Sequence, residues 1–171
     1  MRTVLYEAST GYGSIVEALA IPFVMLLFMI LVPRLKRSPA AVAGGWRPRR
    51  MLWPLCGAFV ILGMFFVLRG QLDMYRRVIV PYARGDYEVV EGCVENFVPM
   101  PSEGHAYETF DIDGVHFAYS DNDVTVGYRN TRVKGGVVRG DGQYLRVGYV
   151  YYNETYGNII VYIEELTPPS P

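Results

Sequence analysis

Residues 51–68, MLWPLCGAFVILGMFFVL, carry no charged side chain and are bounded by Arg49 and Arg50 on one side and Arg69 on the other. A helix of that length, at about 1.5 Å of rise per residue, just crosses a hydrocarbon core of roughly 30 Å, so the stretch predicts a membrane-spanning helix over 51–69. A second apolar run lies N-terminal to it, from Ile15 to Val32, with Pro22 inside and Pro33 closing it. Ser14 and Glu17 have the spacing of a helix-capping pair, which predicts a first spanning helix over 14–33 and accounts for Glu17 as an end-of-helix group. Residues 1–13 form a short N-terminal segment. A cleavable signal peptide fits poorly. The run is preceded by one basic residue, and Arg34, Lys36 and Arg37 separate it from the small-x-small sequence Ala41-Val42-Ala43.

Between the runs, PRLKRSPAAVAGGWRPRR holds six basic residues and no acid: Arg34, Lys36, Arg37, Arg47, Arg49 and Arg50. Positive charge in short loops is retained on the cytoplasmic side, so residues 34–50 predict a cytoplasmic loop with both chain ends outside the cytoplasm. The same side chains are suited to anionic lipid, and Trp46 and Trp53 sit where interfacial tryptophans concentrate. Arg2, Arg69, Arg76, Arg77 and Arg84 flank the opposite ends, and it is the density of the loop that decides the orientation. After Arg69 the apolar positions Leu72, Tyr75, Val78, Ile79 and Tyr82 keep helical spacing, which predicts a juxtamembrane linker over 70–84, helical to about Val80 where Pro81 stops it, that lies at or rises from the bilayer surface.

From residue 85 the period becomes two. DYEVVEGCVENFV reads as one strand with Gly92 as a bulge or sharp bend. The Asp113-Gly114 turn sets a hairpin that pairs Ile112 with Val115, Asp111 with His116, Phe110 with Phe117 and Thr109 with Ala118, with Phe110, Ile112, Val115 and Phe117 on its core face. A second turn at Asp141-Gly142 leads into a strand over 144–152 with Leu145, Val147, Tyr149 and Tyr151 on one face, and a last strand runs from Asn158 to Leu166. The expected fold is therefore a membrane α-hairpin followed by an all-β domain over 85–166. That domain is expected as a small antiparallel OB-like barrel or, alternatively, a small β-sandwich, with a disordered tail over 167–171.

The net charge of −1 and the absence of a Lys/Arg stripe after residue 85 exclude a nucleic-acid binder. Two cysteines on opposite sides of a membrane boundary exclude a disulfide framework, and Cys93 reads as a small buried apolar residue without an assignable base. His105, Glu108, Asp111, Asp113 and His116 crowd into twelve positions, the raw material of a zinc site or an acid–base pair. The hairpin register converges only Asp111 and His116, with Glu108 on the opposite face, so no metal or cofactor is expected. Asn153-Glu154-Thr155 matches a glycosylation sequon, and the glycines of 135–142 do not follow a strand into a helix, as a phosphate loop requires. Twelve of the fourteen tyrosines follow Met74, in a region with one lysine. Tyrosine is enriched at interfaces, which predicts a binding face made by Tyr107, Asp111, His116, Tyr144, Tyr152, Tyr156 and the loop over 122–139.

The run Gly85 to Ser120, GDYEVVEGCVENFVPMPSEGHAYETFDIDGVHFAYS, resembles a stretch of small, uncharacterised bacterial inner-membrane proteins built of two helices and a β-domain. That resemblance implies a bacterial envelope protein, and the layout is loosely similar to the membrane-anchored OB domains of NfeD-like proteins. The expected function is a membrane-anchored, non-enzymatic module on the extracytoplasmic side that binds an envelope protein, an envelope polymer or a second copy. An envelope hydrolase or metal-dependent enzyme and a small channel or transporter subunit are the alternatives. Neither run contains GxxxG to favour the last.

Overall fold

The structure is a computed structural model that describes residues 2–11, 13–35, 49–101 and 106–167, without the side chains at 14, 32–35 and 49–53. The basic side chains of 34–50, Trp46, Trp53, the Ser14 cap, Ala41-Val42-Ala43, His105 and the end of the tail therefore lie outside the described residues. Two compact units are present, residues 13–72 and residues 1–12 with 73–171.

The first unit holds two helices, α1 (Gly13–Leu35) and the greater part of α2 (Arg49–Met74). Helix α1 runs through Pro33 rather than ending there, and α2 continues beyond Arg69-Gly70. Neither has an apolar face set against a polar one. Phe23, Val24, Met25 and Phe28 on α1, and Leu55, Phe59, Ile61, Leu62, Phe65 and Phe66 on α2, are all exposed. One helical stretch, Pro54–Arg84, is long and apolar enough to cross a membrane, and Ile15–Leu31 is a shorter apolar helix of 17 residues.

The second unit is built of antiparallel strands, β1 (Arg2–Glu7), β2 (Glu88–Cys93), β3 (Glu95–Val98), β4 (Glu108–Ile112), β5 (Val115–Tyr119), β6 (Tyr144–Asn153) and β7 (Gly157–Leu166). They do not close into the expected barrel. Among the described residues they make a four-stranded sheet in the order β1-β7-β6-β2 and a three-stranded sheet β3-β4-β5. The expected single strand over 87–98 breaks at buried Val94, whose amide donates to the Gln143 carbonyl while its own carbonyl accepts from Gly142. Those bonds take the backbone out of one sheet and deliver it to the other. Gly92 is not a bulge, since β2 keeps register with β6 throughout; a Cβ there would stand 3.1 Å from Ile112 Cγ2, so the glycine permits close packing. The β4–β5 hairpin has the predicted register, with Asp113 and Gly114 both at positive φ (47° and 77°) as the tight turn requires.

A further strand appears where none was expected. Residues 2–7, which precede the first helix, pair antiparallel with β7, Arg2 opposite Leu166 and Glu7 opposite Tyr162. The N-terminal segment thus belongs to the β-unit. Residues 75–84 also differ from expectation. Tyr75–Ile79 is a π-helical turn, with the Val80 amide bonded to the Tyr75 carbonyl, and α3 (Val80–Arg84) carries the chain through Pro81 to a left-handed Gly85. The wider turn relieves the clash between a proline ring and the preceding carbonyl, which is why Pro81 does not end the helix. Val78 and Ile79 are fully buried against the β-unit, so this segment docks on the sheet and does not lie free as a linker.

Two apolar cores result. Between the sheets, Val90, Leu145, Val147, Ile160 and Ile163 of one meet Phe110, Ile112, Phe117 and Tyr119 of the other. Across the four-stranded sheet, Ile159 and Val161 meet Met74, Val78, Ile79, Ala8 and Val126. Alternation along β7 supplies both cores, a register shift against β6 at Gly148/Tyr149 puts Ile163 in the same core as Ile160, and Tyr151 is left 59% exposed instead of joining Leu145, Val147 and Tyr149. Tight backbone approaches hold the connections: a Cβ on Gly136 would sit 2.2 Å from the Asn130 carbonyl oxygen, whereas one on Gly114 meets nothing within 4 Å. Gly136→Ala is therefore expected to cost about 1–3 kcal/mol through forced backbone movement. Gly114→Ala is expected to cost about 1 kcal/mol, through its positive φ alone. The denaturation midpoint of the full chain in detergent, followed by near-ultraviolet circular dichroism of the tyrosines, measures both.

Candidate functional site

Glu108 is the most deeply buried charged group of the described residues, at 0% exposed. The alternation of β4 turns its side chain inward with Phe110 and Ile112, away from Asp111, as the register predicts. Its carboxylate is received by donors from three segments. The Tyr119 hydroxyl donates to Oε1 at 2.5 Å, the Arg132 amide to both oxygens at 3.1 and 3.0 Å, and the Met100 amide to Oε2 at 3.3 Å. Burial, then the hydrogen bond to Glu108, hold the Tyr119 hydroxyl far above its ordinary pKa, so it remains a donor at physiological pH. Tyr128 packs edge-on against both Tyr119 and Tyr6, and its oxygen accepts from the Val137 amide at 2.7 Å. This group fastens the excursion over 120–139 to the hairpin.

Beside this anchor opens a small pocket. Tyr107, Tyr119, Tyr128 and Tyr156 supply its aromatic lining, Asp123, Ser120, Thr125 and Asn158 its polar groups, and Ala118, Ile159 and Ile160 its floor. Tyr107 is 45% exposed and its hydroxyl donates to Asp123, which together with burial raises its pKa. Tyr156 lies against Tyr152, ring centroids 6.0 Å apart, and the Tyr152 hydroxyl donates to Asp73 at 3.1 Å. Asn153 Oδ1 accepts from the Thr155 and Tyr156 amides, so the sequon asparagine serves as a turn cap.

Of the residues predicted to share one face, Tyr107, Tyr156 and Tyr152 are brought together. Tyr144 stands at the other end of β6 from Tyr152, roughly 26 Å away along the strand, bonded to Glu91 and paired with Cys93. Asp111 and His116 form a cross-strand pair on the outer face of the smaller sheet, His116 Nδ1 to Asp111 Oδ1 at 2.6 Å, with Asn96 donating to Oδ2 at 2.8 Å. Those hydrogen bonds hold the Asp111 carboxyl below its ordinary range. Among the described residues no three His, Cys, Asp or Glu side chains gather closely enough to hold a metal ion. Cys93 is exposed rather than buried. Asp123 and Thr125 belong to the loop over 122–139 that was predicted to join the face, whereas Ser120 and Asn158 were not singled out, because nothing local marks them until the 120–139 excursion is folded back against the start of β7.

The two carboxylates predict different outcomes. Glu108→Gln places an amide donor where three N–H and O–H groups already point, and about 2–4 kcal/mol of stability is expected to be lost. Asp111→Asn is expected to cost less than about 1 kcal/mol, because the pair is exposed and screened. Since Asp111 is depressed below 3.8, its contribution is complete above that pH and disappears as pH falls through the lower native value. Unfolding of both variants at pH 7 and pH 3 measures the contrast.

No family model, no curated protein and no solved structure matches this chain.

Proposed function

We propose that this chain is a β-module held at a bilayer by a two-helix hairpin, displayed on the extracytoplasmic face of a bacterial inner membrane, where it binds an envelope protein, an envelope polymer or a second copy. The observation that carries this reading is the β1–β7 pairing. Strand β1 precedes both apolar helices and β7 follows them, yet the two are hydrogen-bonded. They must share one side of any membrane, so the intervening chain crosses it an even number of times. If the long apolar helix crosses, the return falls to Ile15–Leu31. Its 17 residues span roughly 26 Å, short of the hydrocarbon thickness by an amount local thinning accommodates. Exposed apolar side chains on all sides of both helices support lipid as their surroundings.

The basic loop between the helices supports the orientation. Two of the arginines that count against it are paired within the β-unit, Arg77 with Asp73 at 3.0 Å and Arg2 with Glu164 at 3.6 Å. A structural role for Glu108 is favoured by the engagement of both its oxygens by backbone amides.

The native cysteines test this reading. In spheroplasts, a membrane-impermeant maleimide is expected to label exposed Cys93 without lysis, while Cys56 within α2 is labelled only after detergent is added. Alkaline phosphatase fused after Pro171 is expected to be active. Labelling of Cys93 in the Cys56→Ser variant only after lysis would reverse the orientation.

A further inference from the structure

We propose that the pocket between Tyr107 and Tyr156 is a site for a primary ammonium group carried on an alkyl chain. The inference rests on the reading of the β-unit as a binding module and names the chemistry that it recognises. Four tyrosines line the pocket, aromatic rings whose faces are electron-rich, and the one carboxylate among the lining residues is Asp123. No lysine or arginine is among them. A cation over tyrosine faces is attracted by the ring quadrupole, and the attraction grows as the site is desolvated. An anion finds no positive partner there.

Size and donor count narrow the choice further. The enclosed space of the pocket is small, enough for a group about the size of a water molecule. An –NH3+ head meets that limit and brings three donors with no acceptor. The polar lining holds acceptors to receive them, namely the Asp123 carboxylate, the Thr125 hydroxyl and the second lone pair of Ser120 Oγ, which already accepts from the Asn122 amide at 3.3 Å. The hydroxyls of Tyr119 and Tyr128 are already bonded to Glu108 and to the Val137 amide, and the Asn158 amide donates to the His116 carbonyl. These bonds fix the walls, and the Asp123 carboxylate, which accepts from half-exposed Tyr107 through one hydrogen bond, keeps further acceptor capacity for the ligand. Ala118, Ile159 and Ile160 give the lining an apolar part suited to the methylene next to the ammonium head, with the rest of the alkyl chain outside the pocket.

Such a head occurs on a lysine side chain of a protein or peptide and on an ethanolamine lipid. Full-length protein in nanodiscs of phosphatidylglycerol alone is titrated with n-butylammonium chloride, with 1-butanol as the neutral control, and binding is read by saturation-transfer NMR. Saturable binding of the amine but not the alcohol is expected, weakened about tenfold or more by Asp123→Asn and reduced by Tyr156→Leu. Competition of the amine by a lysine-containing tripeptide assigns the site to protein or peptide amines. Its loss in nanodiscs containing phosphatidylethanolamine assigns it to the lipid headgroup. Equal binding of butanol and butylammonium, or an unchanged affinity in Asp123→Asn with the circular dichroism of the parent, overturns the proposal. Because the titration reads the pocket in either orientation, its failure is distinguishable from failure of the cysteine-labelling experiment, which reads sidedness alone.

Discussion

A carboxylate taken wholly out of water must be met by donors, and in this chain that requirement falls on Glu108. Its partners come from the loop at Met100, from β5 through Tyr119, and from the turn at Arg132. Of these, β5 is a regular strand, whereas the segments at Met100 and Arg132 are a loop and a single 3-10 turn. The bonds to a single side chain turn the irregular excursion over 120–139 into an ordered wall, and the wall in turn creates the pocket. An apolar residue at this position would fill the space and leave two amides and a hydroxyl without acceptors, each a cost comparable to a lost hydrogen bond.

The tyrosines divide the labour in a way that composition alone does not reveal. Tyr119 and Tyr128 are core residues whose polar tips are spent on satisfying buried groups. Tyr149 reaches Glu88 across the sheet at 2.7 Å, and burial followed by that bond pushes it up to about 12. Tyr75 and Tyr152 tie the helical segment to the unit through the Thr10 carbonyl and Asp73. Tyr107 and Tyr156 are left to define the mouth of a pocket. An aromatic-rich β-unit with little lysine is thus mainly a device for burying apolar bulk while keeping hydroxyls available as local ties.

What was legible beforehand follows from the range over which each signal acts. The Asp113-Gly114 hairpin was readable residue by residue because turn chemistry and alternation are both local, and the inward direction of Glu108 follows from the same register. The strand β1 was not readable: six residues, RTVLYE, carry no turn signal and acquire meaning only beside β7. Pro81 misled for a related reason, since its usual effect was cancelled by a π-helical turn that only packing of Val78 and Ile79 against the sheet stabilises. The single barrel failed at Val94, where two backbone bonds to residues nearly fifty positions away redirect the strand. Of the face predicted from tyrosine frequency, the part set by the β6–β7 turn came together, and the part that needed both ends of β6 to meet did not.

The pairing of Val4 with Glu164 joins residues 160 positions apart. At ribosomal speeds of roughly 5–20 residues per second, the first strand waits about 8–30 s for its partner to be made. During that interval its ladder groups are unsatisfied, and the seat left for it beside β7 stays open in every chain just completed. The spacing of these two strands in the gene thus makes completion of the four-stranded sheet one of the last events of synthesis.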